Sequence, residues 1–279
     1  MIRGIRGRIG PSLGLVLSTM ATAALAANVA VVSDEESSQM AAAVTGTGNT
    51  ATVITESQLE AGILGFDVLL IGHHASLTNA GCTAIQNFLN AGKGVITEWN
   101  TVYNLFSNPG PNLYGNAGPQ CGLFTGTVGY GNDVGTNTPI TLTNPASPLL
   151  ASLPNPLQLQ GGSEFFYVVT GYDTGIWSVV ATYDGNGSLG NPAIMTASFG
   201  AGRVIVGAFD WGDELGNIAN DDTLLADFVA AAANGAPPPP PPPTAIIPVP
   251  TLADSMLAAL ALMLAALGFT ALHRRSRRA

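Results

Sequence analysis

The chain has 279 residues, 47% of them hydrophobic and only 10% charged, with 18 acidic and nine basic side chains and a net charge of −9. Three of the basic residues stand before position 9 and four after position 273, so the stretch 28–235 carries 17 acids against Lys93 and Arg203 alone, a balance of −15. A surface so negative repels nucleic acid and anionic lipid head groups; it suits cations, basic partners or neutral glycans, and solubility alone also accounts for it.

The N-terminus has a three-part order. Arg3, Arg6 and Arg8 form a basic start, an apolar run extends from Leu13 to Leu25, and Ala24-Leu25-Ala26 has the small-x-small spacing of a signal-peptidase site. The apolar run is shorter than the roughly 20 residues that a membrane span needs. Residues 1–26 are therefore expected to be a secretory signal peptide, leaving Ala27 or Asn28 as the mature terminus; an uncleaved anchor is the alternative.

Alternation of short strands and helices follows. Asn28–Ser33 is an apolar, β-branched run, and Asp34 can cap a helix through about Val44. Ala51–Thr55 reads as a second strand and Val68–Gly72 as a third, continuously apolar as strands buried on both faces are. Thr78 can cap a helix to Asn90 with Gly92 as its stop, and Gly94–Thr97 is a fourth strand. This order predicts an α/β fold, a parallel sheet with helices on both faces. From about 100 to 162 the chain is rich in Gly, Asn, Pro and Thr and reads as a long insertion, with room for a few short strands. Trp177–Thr182 and Ala193–Ala197 flank Asp184-Gly185-Asn186-Gly187, a turn signal that predicts a late β-hairpin. Those four residues lack the later Glu that a calcium loop requires. Arg203–Phe209 is the last strand, and a helix from about Asp222 to Ala233 closes a domain spanning 28–235.

The two cysteines, Cys82 and Cys121, do not have zinc-site spacing. In an exported protein they can form one disulfide, closing a loop of about 40 residues and stabilising by roughly 3–4 kcal/mol; two unpaired buried thiols are the alternative.

Seven consecutive prolines, Pro237 to Pro243, predict a stiff polyproline II spacer within a linker at 236–248. Beyond it stand Val249, Pro250, Thr251 and Leu252, an uncharged apolar stretch at 256–272, and His273-Arg274-Arg275-Ser276-Arg277-Arg278. The stretch is at the short end for a membrane helix, and arginines after it are expected to stay cytoplasmic, with the domain on the other side.

The segment 249–279 resembles the IPTL-type C-terminal sorting signals of exported Gram-negative proteins, with Ser255 and Met256 where that pattern usually has Trp-Gly. The resemblance implies secretion machinery and an exosortase-like processing enzyme as partners. It also implies a protein anchored in the inner membrane facing the periplasm, or moved to the cell surface after processing. Within the domain, Phe66–Gly72, Phe88–Ile96 and Phe199–Val206 resemble the glutamine-amidotransferase-like, flavodoxin-like superfamily, including its ThuA-like members. The resemblance implies a flavodoxin-like sheet. Its catalytic members carry a nucleophilic Cys at the turn after the strand matching Gly94–Thr97, and here that turn reads Thr97-Glu98-Trp99.

In open parallel sheets ligands bind beyond the C-terminal strand ends. Those ends present Asp34; His73 and His74; Glu98 and Trp99; and Asp210, Trp211 and Asp213. Three uses of this rim compete. His73, His74 and Glu98 can ligate a divalent metal; Glu98 or His73, with Asp210, can serve hydrolysis as general base; Asp34, His74, Trp99, Trp211 and Asp213 can bind a ligand, the two indoles offering stacking faces to a glycan. Ordinary capping and solvation are the plain alternative. No phosphate-binding Walker loop and no G-x-S-x-G elbow occurs. The sequence reading is thus an envelope-displayed, non-catalytic binding domain, with a metal- or carboxylate-dependent hydrolase of extracellular polymer as the second reading.

Overall fold

The computed structural model describes residues 26–235, apart from 33, 35, 73–74, 76, 99–100, 110–120, 131–138, 144–146, 151, 159–166, 184–189, 210–211, 213–214 and 216–218. The signal peptide, the proline linker, the sorting motif Val249–Leu252 and the apolar stretch 256–272 lie outside the described residues. Among the described residues no helix is long and apolar enough to cross a membrane.

Strands β1 (Asn28–Val32), β2 (Thr50–Ile54), β3 (Val68–Ile71) and β4 (Gly94–Glu98) alternate with helices α1 (Ser37–Gly46), α2 (Glu56–Ala61) and α3 (Asn79–Asn90). A short helix α4 (Val102–Leu105) leads into β5 (Phe106–Pro109), β6 (Phe124–Tyr130), β7 (Pro139–Leu142), β8 (Leu157–Gln158) and β9 (Tyr167–Thr170). The domain ends in β10 (Trp177–Tyr183), β11 (Pro192–Phe199), β12 (Gly202–Gly207) and α5 (Ala219–Ala233). The large sheet runs β2-β1-β3-β4-β12-β11-β10-β7-β8. Its first five strands are parallel in the flavodoxin-like order, counting parallel strands alone as 2-1-3-4-5.

Two-residue periodicity explains why this sheet is covered on both sides. Val29, Val31, Val68, Leu70, Ile96 and Ile205 point to one face, where Met40 and Val44 of α1 and Leu224, Phe228 and Val229 of α5 meet them. Ala30, Val32, Leu69, Ile71, Val95 and Val206 point to the other, against Leu59 of α2 and Ile85, Phe88 and Leu89 of α3. Each strand therefore reads as an unbroken apolar run.

The sheet is parallel as expected through its first five strands and turns antiparallel at β11. Its short connection to β12, through Gly200, allows only antiparallel pairing, and β10, β7 and β8 continue in that sense. The late hairpin is β10–β11, with its turn at 184–187 outside the described residues. The expected insertion at 100–162 is not an appendage: it supplies β7 and β8 to the main sheet, and β5 and β6 to a second sheet with β9. Phe106 and Phe124 of that sheet pack on Trp177 with ring centroids 5.4 and 4.6 Å away. Two local corrections concern the helices. Glu36, not Asp34, is the N-cap of α1. Helix α2, which the apolar pattern did not suggest, is set by a reciprocal capping box between Thr55 and Gln58. Thr78 caps α3 as expected, accepting the Gly81 N–H at 3.0 Å.

Cys82 of α3 and Cys121, just before β6, form the disulfide, with Cα atoms 4.9 Å apart across a separation of 39 residues. It ties the second sheet to the helical layer. The domain's two cations both sit at the N-terminal ends of the strands. Lys93 pairs with Asp67 at 3.0 Å, and Arg203 donates to the Ala231 carbonyl at 3.0 Å, near the C-terminal end of α5.

Two outcomes follow. Cys82→Ser with Cys121→Ser is expected to lower stability by about 3–4 kcal/mol, measured as a drop in urea midpoint that reductant reproduces in the parent chain. The Asp67 carboxyl is held below its ordinary value by the Asn28 N–H and by the Lys93 ammonium. Its contribution is present above the unfolded carboxyl's pKa and is lost as pH falls through the depressed folded value. Acid unfolding of Asp67→Asn should lack that component and begin from a lower stability at neutral pH.

Candidate functional site

Each parallel strand delivers its last residue to one rim, and the described part of that rim is held by backbone and side-chain hydrogen bonds. After β1, Asp34 Oδ1 accepts the Glu36 N–H at 3.0 Å, and the Asp34 carbonyl accepts the Ser37 hydroxyl at 2.9 Å. This local turn starts α1 and holds the half-buried Asp34 carboxylate against Gly72, at the end of β3. A Cβ at position 72 would overlap Asp34 Oδ2, so glycine is required for the close approach.

At the end of β4, Glu98 is 0% exposed. Alternation places it on the α1 side of the sheet, where its carboxylate accepts the backbone N–H of Gly212. A Cβ at position 212 would lie 2.5 Å from Glu98 Oε1 and 2.6 Å from the Met40 methyl, which shows how closely the loop after β12 is pressed on the carboxylate. That loop is further pinned where Gln39 donates to the Leu215 carbonyl at 2.5 Å, Leu215 donates to the Gly212 carbonyl at 3.2 Å, and the Leu215 side chain is buried. Below the turn, the Thr101 hydroxyl accepts the Glu98 N–H at 3.3 Å and donates to the Glu98 carbonyl at 2.7 Å, with the Ile71 carbonyl 3.2 Å away. It fixes the ends of β3 and β4 side by side.

Of the residues the sequence points to, the structure places Asp34 and Glu98 at this rim. His73, His74, Trp99, Asp210, Trp211 and Asp213 lie outside the described residues, and with them the histidine part of the metal reading. Among the described residues no three His, Cys, Asp or Glu side chains are grouped so as to hold a metal ion. Gly212, Met40, Gln39 and Thr101 hold Glu98 or its covering loop in place, and none of them was suggested by the sequence. A Gly between Trp211 and Asp213 was the one available signal for a close approach.

No family model matches the chain, and no curated protein matches its sequence. Its fold is shared with solved structures. A ThuA-like protein from Bacteroides uniformis superposes with a TM-score of 0.53 at 16% identity, over 76% of this chain and 95% of that one. A GMP synthase protein from Thermoplasma acidophilum superposes with a TM-score of 0.50 at 8% identity, over 74% and 95%. A β-galactosidase from Rahnella sp. R3 gives 0.51 at 17% identity over 74% of this chain, which spans 31% of that enzyme. The domain therefore shares a flavodoxin-like α/β fold with these proteins, and at these identities the likeness is one of fold.

Gly212→Ala should force the loop off Glu98 and cost about 1–3 kcal/mol, read as a lower urea midpoint. Gly212→Ser is expected to behave the same way, because it adds the same Cβ.

Proposed function

We propose that the chain is an exported protein, held at the envelope by its C-terminal segment, whose amidotransferase-like domain binds rather than turns over its ligand. One observation carries the binding half of this reading. The C-terminal end of β4, next to the turn where the catalytic members of the resembled superfamily carry their nucleophile, holds a carboxylate that is wholly buried and covered by Gly212 and Met40. A nucleophile or general base needs access to its substrate within hydrogen-bond reach, and Glu98 is turned to the protein interior.

The electrostatics favour a class of ligand. Lys93 and Arg203, the domain's two cations, are engaged at the opposite strand ends. The C-terminal rim carries acids by sequence and no lysine or arginine. Such a rim suits a cation, a basic segment or a neutral glycan, and disfavours phosphate-bearing ligands. The secretion and anchoring half rests on the three-part ends of the sequence, with an exosortase-like enzyme as the processing partner and a Gram-negative envelope as the setting.

The hydrolase reading draws on a different observation: the half-buried Asp34 carboxylate lies against Gly72, immediately before His73 and His74. If that pair bound a metal with Asp34, purified protein would contain stoichiometric metal that His73→Ala and His74→Ala remove. The binding reading expects metal content unaffected by either change.

The anchoring half is tested by producing the full chain in a Gram-negative host and fractionating it. The full chain is expected in the membrane fraction, its domain open to protease once the outer membrane is permeabilised. A chain lacking 249–279 is expected in the soluble periplasmic fraction. Identical fractionation of the two would overturn the anchoring role.

A further inference from the structure

At the pole opposite the rim, the first residue of the fold is held unusually well for a chain end. Ala27 is 4% exposed, whereas Ala26 is exposed. The Ala27 N–H donates to Asn49 Oδ1 at 2.8 Å, and the Ala27 carbonyl accepts the Thr50 N–H at 2.9 Å. Both bonds extend the β1–β2 pairing by one residue, from Asn28 to Ala27.

Ala26 and Ala27 also line an open cavity of about 770 Å3, whose walls include Asn49, Asp67, Asp227 and Asn234. Asp67 before β3 and Asp227 on α5, two acids from different elements, thus line the same cavity as Ala27. Lys93 approaches the same region from the start of β4 and is paired with Asp67. Burial pushes the Asp227 carboxyl up, although it accepts the Ser152 N–H; a nearby positive charge would relieve that group.

We propose that signal-peptide removal after Ala26 leaves the α-amino group of Ala27 as a structural cation of this cavity, held on Asn49 Oδ1 and facing the carboxylates of Asp67 and Asp227. This rests on the export reading above and extends it. In the cleavage, water adds its hydroxyl to the Ala26 carbonyl carbon and a proton to the Ala27 nitrogen as the peptide bond breaks. The freed amine takes a second proton from solvent at neutral pH. A neutral amide donor becomes an ammonium in the same place, bound to the same acceptor, at a pole of a domain carrying 17 acids and two cations. Processing and stability are thereby coupled: the mature chain gains an interaction that the precursor lacks.

The titration has a definite sign. An α-amino group ordinarily titrates at about 7.7–8.0, and an ammonium held on an acceptor as proposed is favoured in the fold over the free amine. The contribution is full below the unfolded value and is lost as pH rises through the folded one.

The test uses the full chain exported in a Gram-negative host. Intact mass and N-terminal sequencing of the product are expected to give Ala27 as the first residue. Thermal melts from pH 7 to 9.5 should then show a fall of roughly 2–4 °C. That fall should shrink in Asp227→Asn, and it should vanish in a chain with one glycine inserted between Ala26 and Ala27, whose amine is carried outward. A product retaining residues 1–26 would overturn this proposal, and the export reading falls with it only if that product is also found in the cytoplasm and not in the envelope. A mature terminus at Asn28, or a fall of equal size in the glycine-inserted chain, would overturn this proposal and leave export standing.

Discussion

The hydrogen bond from the Gly212 N–H to the Glu98 carboxylate is the contact on which the reading of this domain turns. It joins the end of β4 to the loop that follows β12, the last parallel strand, across 114 residues of sequence. A buried carboxylate is costly unless it is hydrogen-bonded. Glu98 therefore constrains its surroundings: position 212 must be glycine to approach, Met40 must fill the space beside it, and Gln39 and Leu215 hold the loop down. A residue that by position belongs to a ligand-facing rim has become part of the packing.

The rest of the architecture serves the same division of the molecule into two poles. The doubly covered sheet, with alternate side chains buried on opposite faces, fixes where every strand end lies. Both domain cations are used at the N-terminal pole, Lys93 on Asp67 and Arg203 on the Ala231 carbonyl. Among the described residues, the C-terminal pole carries the acids Asp34 and Glu98 with their backbone donors. Similar folds in a ThuA-like protein and a GMP synthase protein show that the scaffold is general; function has to be argued from what stands at its strand ends.

Much of this scaffold was legible in the sequence. Val68–Ile71 is apolar at every position because both faces of β3 are buried, and Thr78 and Gly92 bracket α3 by ordinary capping chemistry. The capping box of Thr55 and Gln58 was equally readable, but α2 buries only Leu59 and so leaves almost no apolar period. The bounds and partners of the strands between 100 and 162 were hidden for a different reason. Glycines interrupt β6 at 126 and 129, a proline opens β7, and their partners are distant in sequence, so composition resembles a loop while pairing makes a sheet. The burial of Glu98 had no local signal. An acid at a strand end reads as a rim group, and only a loop more than a hundred residues away turns it inward.

The most direct measurement is the native-state hydrogen exchange of the Gly212 amide by NMR, in the unmodified protein at neutral pH. The account predicts that this loop amide is protected by on the order of a thousandfold or more, exchanging with the slow amides of β4. Exchange at the rate of an unstructured loop would mean that Glu98 is open to solvent, and would contradict the sealed strand end on which the proposed binding role rests.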